Sequence, residues 1–218
     1  MNNDPKKLVR YSYNQLAKLN LASRFLFDDW KHLDRLNQHL SPKSRILDVG
    51  CGSGIPIDKY LFEKGHQIIG IDLSEEQIKL AQKNLPKAEF VVMDMENITF
   101  KPDSFDAIVS FYSIYHLPKF LHFDLLKKYF QILKNGGYLM ITMGSYDWED
   151  TLEEYEDIKL FWSHWGRKKN LEILWESGFT LLYEEKHFSG GEEHLIILAQ
   201  KLIKKKSSVD IKSIKTTY

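Results

Sequence analysis

The segment Asp48-Val-Gly50-Cys-Gly52-Ser-Gly54 constrains this chain more than any other, because three glycines at alternate positions follow a β-branched run, Arg45 to Val49, and precede an amphipathic stretch. A chain that leaves a strand, turns sharply and enters a helix needs residues without a Cβ, both to turn and to let backbone approach a ligand. The segment therefore predicts a ligand-binding loop in a strand–loop–helix unit. Its spacing separates ligands. The dinucleotide fingerprint is Gly-x-Gly-x-x-Gly, whereas this loop reads Gly-x-Gly-x-Gly, with Ile55 where the third dinucleotide glycine would fall. Asp48, two residues ahead of the first glycine, would repel a pyrophosphate and favour a ligand carrying cationic groups. In its alternative reading Asp48 caps loop amides.

From about residue 41 onward β-branched runs alternate with amphipathic stretches, the pattern of parallel strands joined by crossover helices. Strands are predicted at Arg45 to Val49, Gln67 to Asp72, Glu89 to Met93, Ser104 to Phe111 and Tyr138 to Met143. Helices are predicted between them at Ile55 to Lys64, Glu75 to Asn84 with Ser74 as N-cap, and Lys119 to Lys134 closed by Asn135-Gly-Gly137. The rhythm breaks at residues 144–166, long, acidic and tryptophan-rich. A helix at Arg167 to Ser177 follows, and β runs at Phe179 to His187 and His194 to Lys201 form a terminal hairpin.

Asp72 ends the second strand about 20 residues beyond the glycine loop, where a carboxylate can accept both hydroxyls of an adenosine ribose. After the third strand, Asp94 can accept from an adenine amino group and Met95 can pack on the ring, Asp94 reading otherwise as a turn residue.

Residues 41 to 201 resemble the class I S-adenosylmethionine-dependent methyltransferases, small-molecule members of the type 11/25 kind. The likeness runs through Ile46-Leu-Asp-Val-Gly-Cys-Gly-Ser-Gly54, Gly70-Ile-Asp-Leu-Ser74, Asp94-Met95, Phe105-Asp-Ala-Ile-Val-Ser110 and Leu133-Lys-Asn-Gly-Gly-Tyr-Leu139, in that family's order. It implies a Rossmann-like, doubly wound α/β fold with seven strands in the order 3-2-1-4-5-7-6, the last antiparallel. It implies S-adenosylmethionine as cofactor, S-adenosylhomocysteine as product, no metal, and Ser110 and Phe111 near the methionine part. Tyr13-Asn-Gln-Leu-Ala17 is similar to a Tyr-Asp-x-x-Ala element whose tyrosine closes over the cofactor, with Asn14 in place of the aspartate. The expected cofactor set is Tyr13, Asp48, Gly50, Cys51, Gly52, Gly54, Asp72, Leu73, Asp94, Met95, Ser110 and Phe111.

The expected organisation is an N-terminal helical cap over 1–40, a methyltransferase domain over 41–203 with 144–166 as substrate lid, and a disordered basic tail over 204–218. Methyl transfer needs a positioned nucleophile and, for some oxygen or nitrogen acceptors, a base. His116 and His164 are the candidate catalytic residues; in the alternative reading each fixes a loop by hydrogen bonding. Residues 144–166 read either as an aromatic pocket for a planar or cationic acceptor or as an amphipathic lid helix with a solvated acidic face.

Charge bears on partners. Residues 1–40 hold seven Lys/Arg against four Asp, residues 201–218 hold six Lys against one Asp, and the whole chain is neutral, so the intervening part is acidic. An acidic middle argues against a phosphate backbone as substrate. One cysteine, scattered histidines and no apolar run near the roughly 18 residues of a bilayer span predict no metal, no disulfide and no membrane. The expectation is a cytoplasmic enzyme methylating an oxygen or nitrogen, or else a sulfur or carbon, of a small molecule, its oligomeric state open. The alternatives are a non-catalytic cofactor-binding module of the same fold and, less favoured by the loop spacing, a nicotinamide-dependent oxidoreductase.

Overall fold

Short β-branched runs bury both faces of a parallel sheet, and the chain's first strand does so almost completely: Ile46, Leu47 and Val49 of β1 (Arg45–Val49) are all inaccessible to solvent. The computed structural model describes residues 4–18, 29–155 and 158–202. β2 (Gln67–Asp72) and β3 (Glu89–Val92) pair in parallel outward from β1, and β4 (Phe105–Ser110) and β5 (Leu133–Gly144) pair in parallel on its other side. The final two strands, β8 (Phe179–Ser189) and β9 (Glu192–Lys201), form a hairpin, with β9 antiparallel to both β8 and β5. The sheet order is β3-β2-β1-β4-β5-β9-β8. This is the expected 3-2-1-4-5-7-6 order, with two additional strands in the connection after β5.

Those additional strands correct the lid-helix reading. Residues 148–155 and 158–164 form an antiparallel hairpin, β6 (Trp148–Tyr155) and β7 (Ile158–His164), as a separate two-stranded sheet. Leu160, Phe161 and Ser163 of β7 are buried, and the aromatic and β-branched residues suit a pleated, half-buried surface. The acidic residues had suggested one solvated helix face, but β7 instead packs against the first helix, α1 (Pro5–Lys18).

Two helices precede β1. α2 (Trp30–Asn37) drives Leu33 and Leu36, both fully buried, into the main core, at about 1.5–3 kcal/mol per large apolar side chain. Residues 19–28 of the expected helical cap, and the tail 204–218, lie outside the described residues. α3 (Ile57–Glu63) and α4 (Glu75–Asn84) make the next crossovers, and Ser74 caps α4 as expected, its Oγ accepting from the Gln77 N–H at 3.1 Å. α5 (His122–Ile132) ends earlier than predicted. Asn135-Gly-Gly137 does not close that helix; it bulges out of β5, where Leu133 pairs with Phe105 and Tyr138 already pairs with Ala107. α6 (Arg167–Glu176) leads into the terminal hairpin.

Candidate functional site

The glycine loop lies at the C-terminal end of β1, and its conformation is held from two sides. Gly50, Gly52 and Gly54 have φ of +79°, +55° and +73°, a region that residues with a Cβ rarely adopt. The N–H groups of Gly50 and Cys51 both donate to the Ile71 carbonyl, at 2.8 and 3.0 Å. The Gly52 N–H donates to Asp72 Oδ2 at 2.9 Å, and the Ser74 N–H donates to Oδ1 at 2.8 Å. A single carboxylate thus ties the loop to the end of β2. Burial raises the pKa of Asp72, while backbone N–H groups of Ser74, Gly52 and Leu73 act the other way. Each oxygen keeps a further lone-pair direction for a ligand hydroxyl.

Close approach also explains Gly50. A Cβ there would lie 2.3 Å from Ser113 Cβ, on the turn after β4. Ser113 Oγ in turn donates to the Val49 carbonyl at 2.8 Å and shares a 2.7 Å hydrogen bond with Ser110 Oγ. Gly54 answers to internal packing: a Cβ would sit 3.2 Å from the Phe90 ring. Cys51 is buried, and that burial with the nearby Asp58, Asp72 and Asp48 carboxylates holds its thiol well above the usual range.

The loop opens onto a cavity of about 940 Å³ across the C-terminal ends of β1 to β4. Gly50, Cys51, Gly52, Asp72, Leu73, Asp94, Met95, Phe111 and Tyr13 of the expected set line it. Asp48, Gly54 and Ser110 do not; all three are buried one layer behind the wall, where Ser110 meets Ser113 and Tyr129. Asp94 lines the cavity and also holds a turn. Its Oδ1 accepts from the Glu96 N–H at 2.9 Å and caps a short helical turn, and its Oδ2 meets Lys6 Nζ of α1 at 2.6 Å.

At the other end of the cavity, α1 and β7 meet the turn after β4. His116 Nδ1 lies 2.8 Å from the Phe161 carbonyl, which can only accept, so Nδ1 carries the proton and Nε2 accepts from the Tyr13 hydroxyl at 2.6 Å. Burial depresses the His116 pKa to about 4, and the ring stays neutral. Trp162 packs against that imidazole, with ring centroids 4.7 Å apart, and lines the cavity.

His164 is not brought to this cavity, contrary to expectation. The antiparallel register of β7 turns its ring onto the backbone of Gly144, and its Nδ1 hydrogen-bonds the Tyr146 carbonyl at 2.9 Å. Residues not singled out in the sequence stand there instead: Tyr112, Ser113 and His194. Tyr112 holds φ of +54° and donates to Asp29 Oδ1 at 2.7 Å, and the His194 ring stands edge-on to it at 4.8 Å. His194 reaches the site because β9 returns beside β5, setting it opposite Gly144. Its only sequence signal was its place at the start of the last β run.

A family described as a methyltransferase domain matches residues 47–141. The Bacillus subtilis (strain 168) protein YqeM, named for a methyltransferase, is 28% identical over 80% of this chain and 74% of its own length. A crystal structure of a Methanosarcina mazei S-adenosylmethionine-dependent methyltransferase is 25% identical, with a TM-score of 0.69, covering 78% of this chain and 97% of the other. The Burkholderia thailandensis 1,6-didemethyltoxoflavin-N1-methyltransferase, bound to 1,6-didemethyltoxoflavin and S-adenosylhomocysteine, shares the fold at 19% identity, with a TM-score of 0.72 over 90% of this chain and 88% of its own. Other relatives are named for sterol, rRNA and tRNA methylation, and this chain spans only 30%, 37% and 35% of their respective lengths. The match begins in β1 and ends within β5, and the fold is shared with the Methanosarcina mazei S-adenosylmethionine-dependent methyltransferase, so residues 47–141 of this chain form a methyltransferase domain.

Proposed function

We propose that this enzyme methylates an oxygen or nitrogen atom of a small molecule held beside the cofactor in the same cavity. The cavity's volume carries the reading: about 940 Å³ lies at the upper end of the roughly 300–1,000 Å³ usual for ligand pockets, which accommodates the cofactor with a compact acceptor. Asp72 takes the ribose hydroxyls and Asp94 with Met95 the adenine, while Gly50, Cys51, Gly52, Leu73 and Phe111 form the walls. Asp48 acts from behind the loop, through the negative field it adds to that of Asp72. When bound, the cofactor supplies a methyl carbon activated by a sulfonium.

The acceptor lies between Tyr112, Trp162 and His194. His116 has its two nitrogens engaged with the Phe161 carbonyl and the Tyr13 hydroxyl, so it positions Tyr13 over the cavity. His194, a buried imidazole on the wall with its pKa lowered to about 4 by burial, is neutral and replaces His164 as candidate proton acceptor. A base this weak suits an acceptor atom that is already nucleophilic at neutral pH.

Calorimetry with S-adenosylmethionine, followed by an acceptor screen read as S-adenosylhomocysteine release, tests the proposal. Small planar nitrogen heterocycles are expected to turn over, and His194→Ala to lower kcat by at least about tenfold, where a full general base is worth about 10² to 10⁴. Turnover on tRNA or rRNA with none on small acceptors would replace this reading with the RNA activity named for some relatives.

A further inference from the structure

On the side of the sheet edge where α2 meets β8, two histidines and a glutamate with no role assigned above converge. His32 in the first turn of α2 is fully buried, His187 of β8 is 8% exposed, and their rings meet edge-on with centroids 4.9 Å apart. Glu185 precedes His187 by two residues on β8, and alternate residues of a strand share a face. One ligand atom from each of the three lies within 4.8 Å of the others. We propose that His32, Glu185 and His187 form a binding site for a divalent transition metal of zinc type, tying α2 to the edge strand.

The chemistry of the donors supports this. Neither ring nitrogen of His32, nor Nε2 of His187, has a hydrogen-bond partner among the described residues. Buried imidazole nitrogens are nearly always partnered, and a cation bound to the lone pairs of two of them supplies what the protein does not. Two imidazoles and one carboxylate are a zinc set, with a fourth tetrahedral position left for water. Ligand atoms around such a cation stand about 3.3 Å apart, so small side-chain rotations would close the cluster.

Glu185 is engaged but not saturated. Its Oε1 accepts from Lys31 Nζ at 2.5 Å and its other oxygen accepts from the Tyr183 hydroxyl, and each oxygen retains a second lone pair. The Lys31 and Glu185 side chains are 53% and 30% exposed, so Lys31 can swing into solvent as the metal enters from that side. The adjoining Arg35 guanidinium is stacked 3.7 Å over the Tyr183 ring and does not occupy the cluster. His187 is paired directly across the hairpin with His194, so the site borders the far wall of the cavity.

Titration of chelator-treated full-length protein with Zn²⁺, followed by calorimetry and melting temperature, is the test. Wild type is expected to take up one equivalent with a rise in Tm, as mass action requires of a ligand bound only by the folded state. Co²⁺ in its place is expected to give visible absorption of a tetrahedral nitrogen–oxygen site. His187→Ala is expected to weaken Zn²⁺ binding at least tenfold and abolish the cobalt band, and Glu185→Gln, on a partly exposed side chain, to weaken binding with the fold retained. Unchanged S-adenosylmethionine affinity in both variants certifies that they are folded. Absence of stoichiometric uptake by wild type, or equal uptake by folded His187→Ala, would overturn the proposal.

Discussion

At the scale of single residues, the site depends on a few atoms that both hold the loop and face the cavity. Asp72 is the clearest, since it fastens Gly52 and Ser74 while facing the cavity. Asp72→Ala is expected to lower S-adenosylmethionine affinity about 10- to 100-fold in calorimetry, since hydrogen bonds to a charged group are worth about 1.5–3 kcal/mol. Unchanged affinity would remove it from the ribose role. Gly50→Ala should destabilise the protein by at least about 2 kcal/mol in denaturant unfolding, from a strained φ and a Cβ 2.3 Å from that of Ser113. Adding Ser113→Gly should recover the clash but not the φ strain; no recovery would show that the contact is unimportant. Asp72 was legible because its distance from the glycine loop is set by one β–α–β unit. The Ser113 contact was not, since it joins two loops brought together only by the pairing of β1 with β4.

At the scale of elements, the connection from β5 to α6 distinguishes this chain from a plain seven-stranded domain. Asn170 of α6, fully buried, donates to the Gly144 carbonyl at 2.8 Å and to the Trp165 carbonyl at 2.7 Å, clamping both ends of the hairpin connection. Asn170→Ala should cost about 2 kcal/mol or more in thermal unfolding, because two buried carbonyls lose their donor. A loss below about 0.5 kcal/mol would mean that water replaces it readily. The strands of the main sheet were readable from their β-branched runs. The hairpin was not, because its acidic residues imitate one face of a helix, and what decides for strand is its packing against α1, including a Ser12 Oγ hydrogen bond to the Lys159 carbonyl.

At the scale of the whole molecule, burial of neutral histidines couples the fold to pH. His116 and His122 have pKa values depressed to about 4 by burial, against 6.5 for an exposed imidazole. The unfolded chain therefore binds protons between these values that the native state does not. Stability from these groups is complete above about pH 6.5 and is lost as pH falls towards 4. Unfolding curves at constant ionic strength should show it, and His122→Gln should flatten the slope in that window; an unchanged slope would remove His122 from the effect.

The local pattern of the sequence was enough for the strand–loop–helix units, the glycine loop, the positions of Asp72 and Asp94 on the cavity and the terminal hairpin, because each rests on neighbours in the chain or on a single crossover. It could not decide which residues line the cavity beside His116. Tyr112, Trp162 and His194 come from three separate elements, and His164 and His194 look equivalent as letters. Strand register separates them, turning one ring onto Gly144 and the other onto the cavity wall, and the same long-range pairing places His187 beside His32.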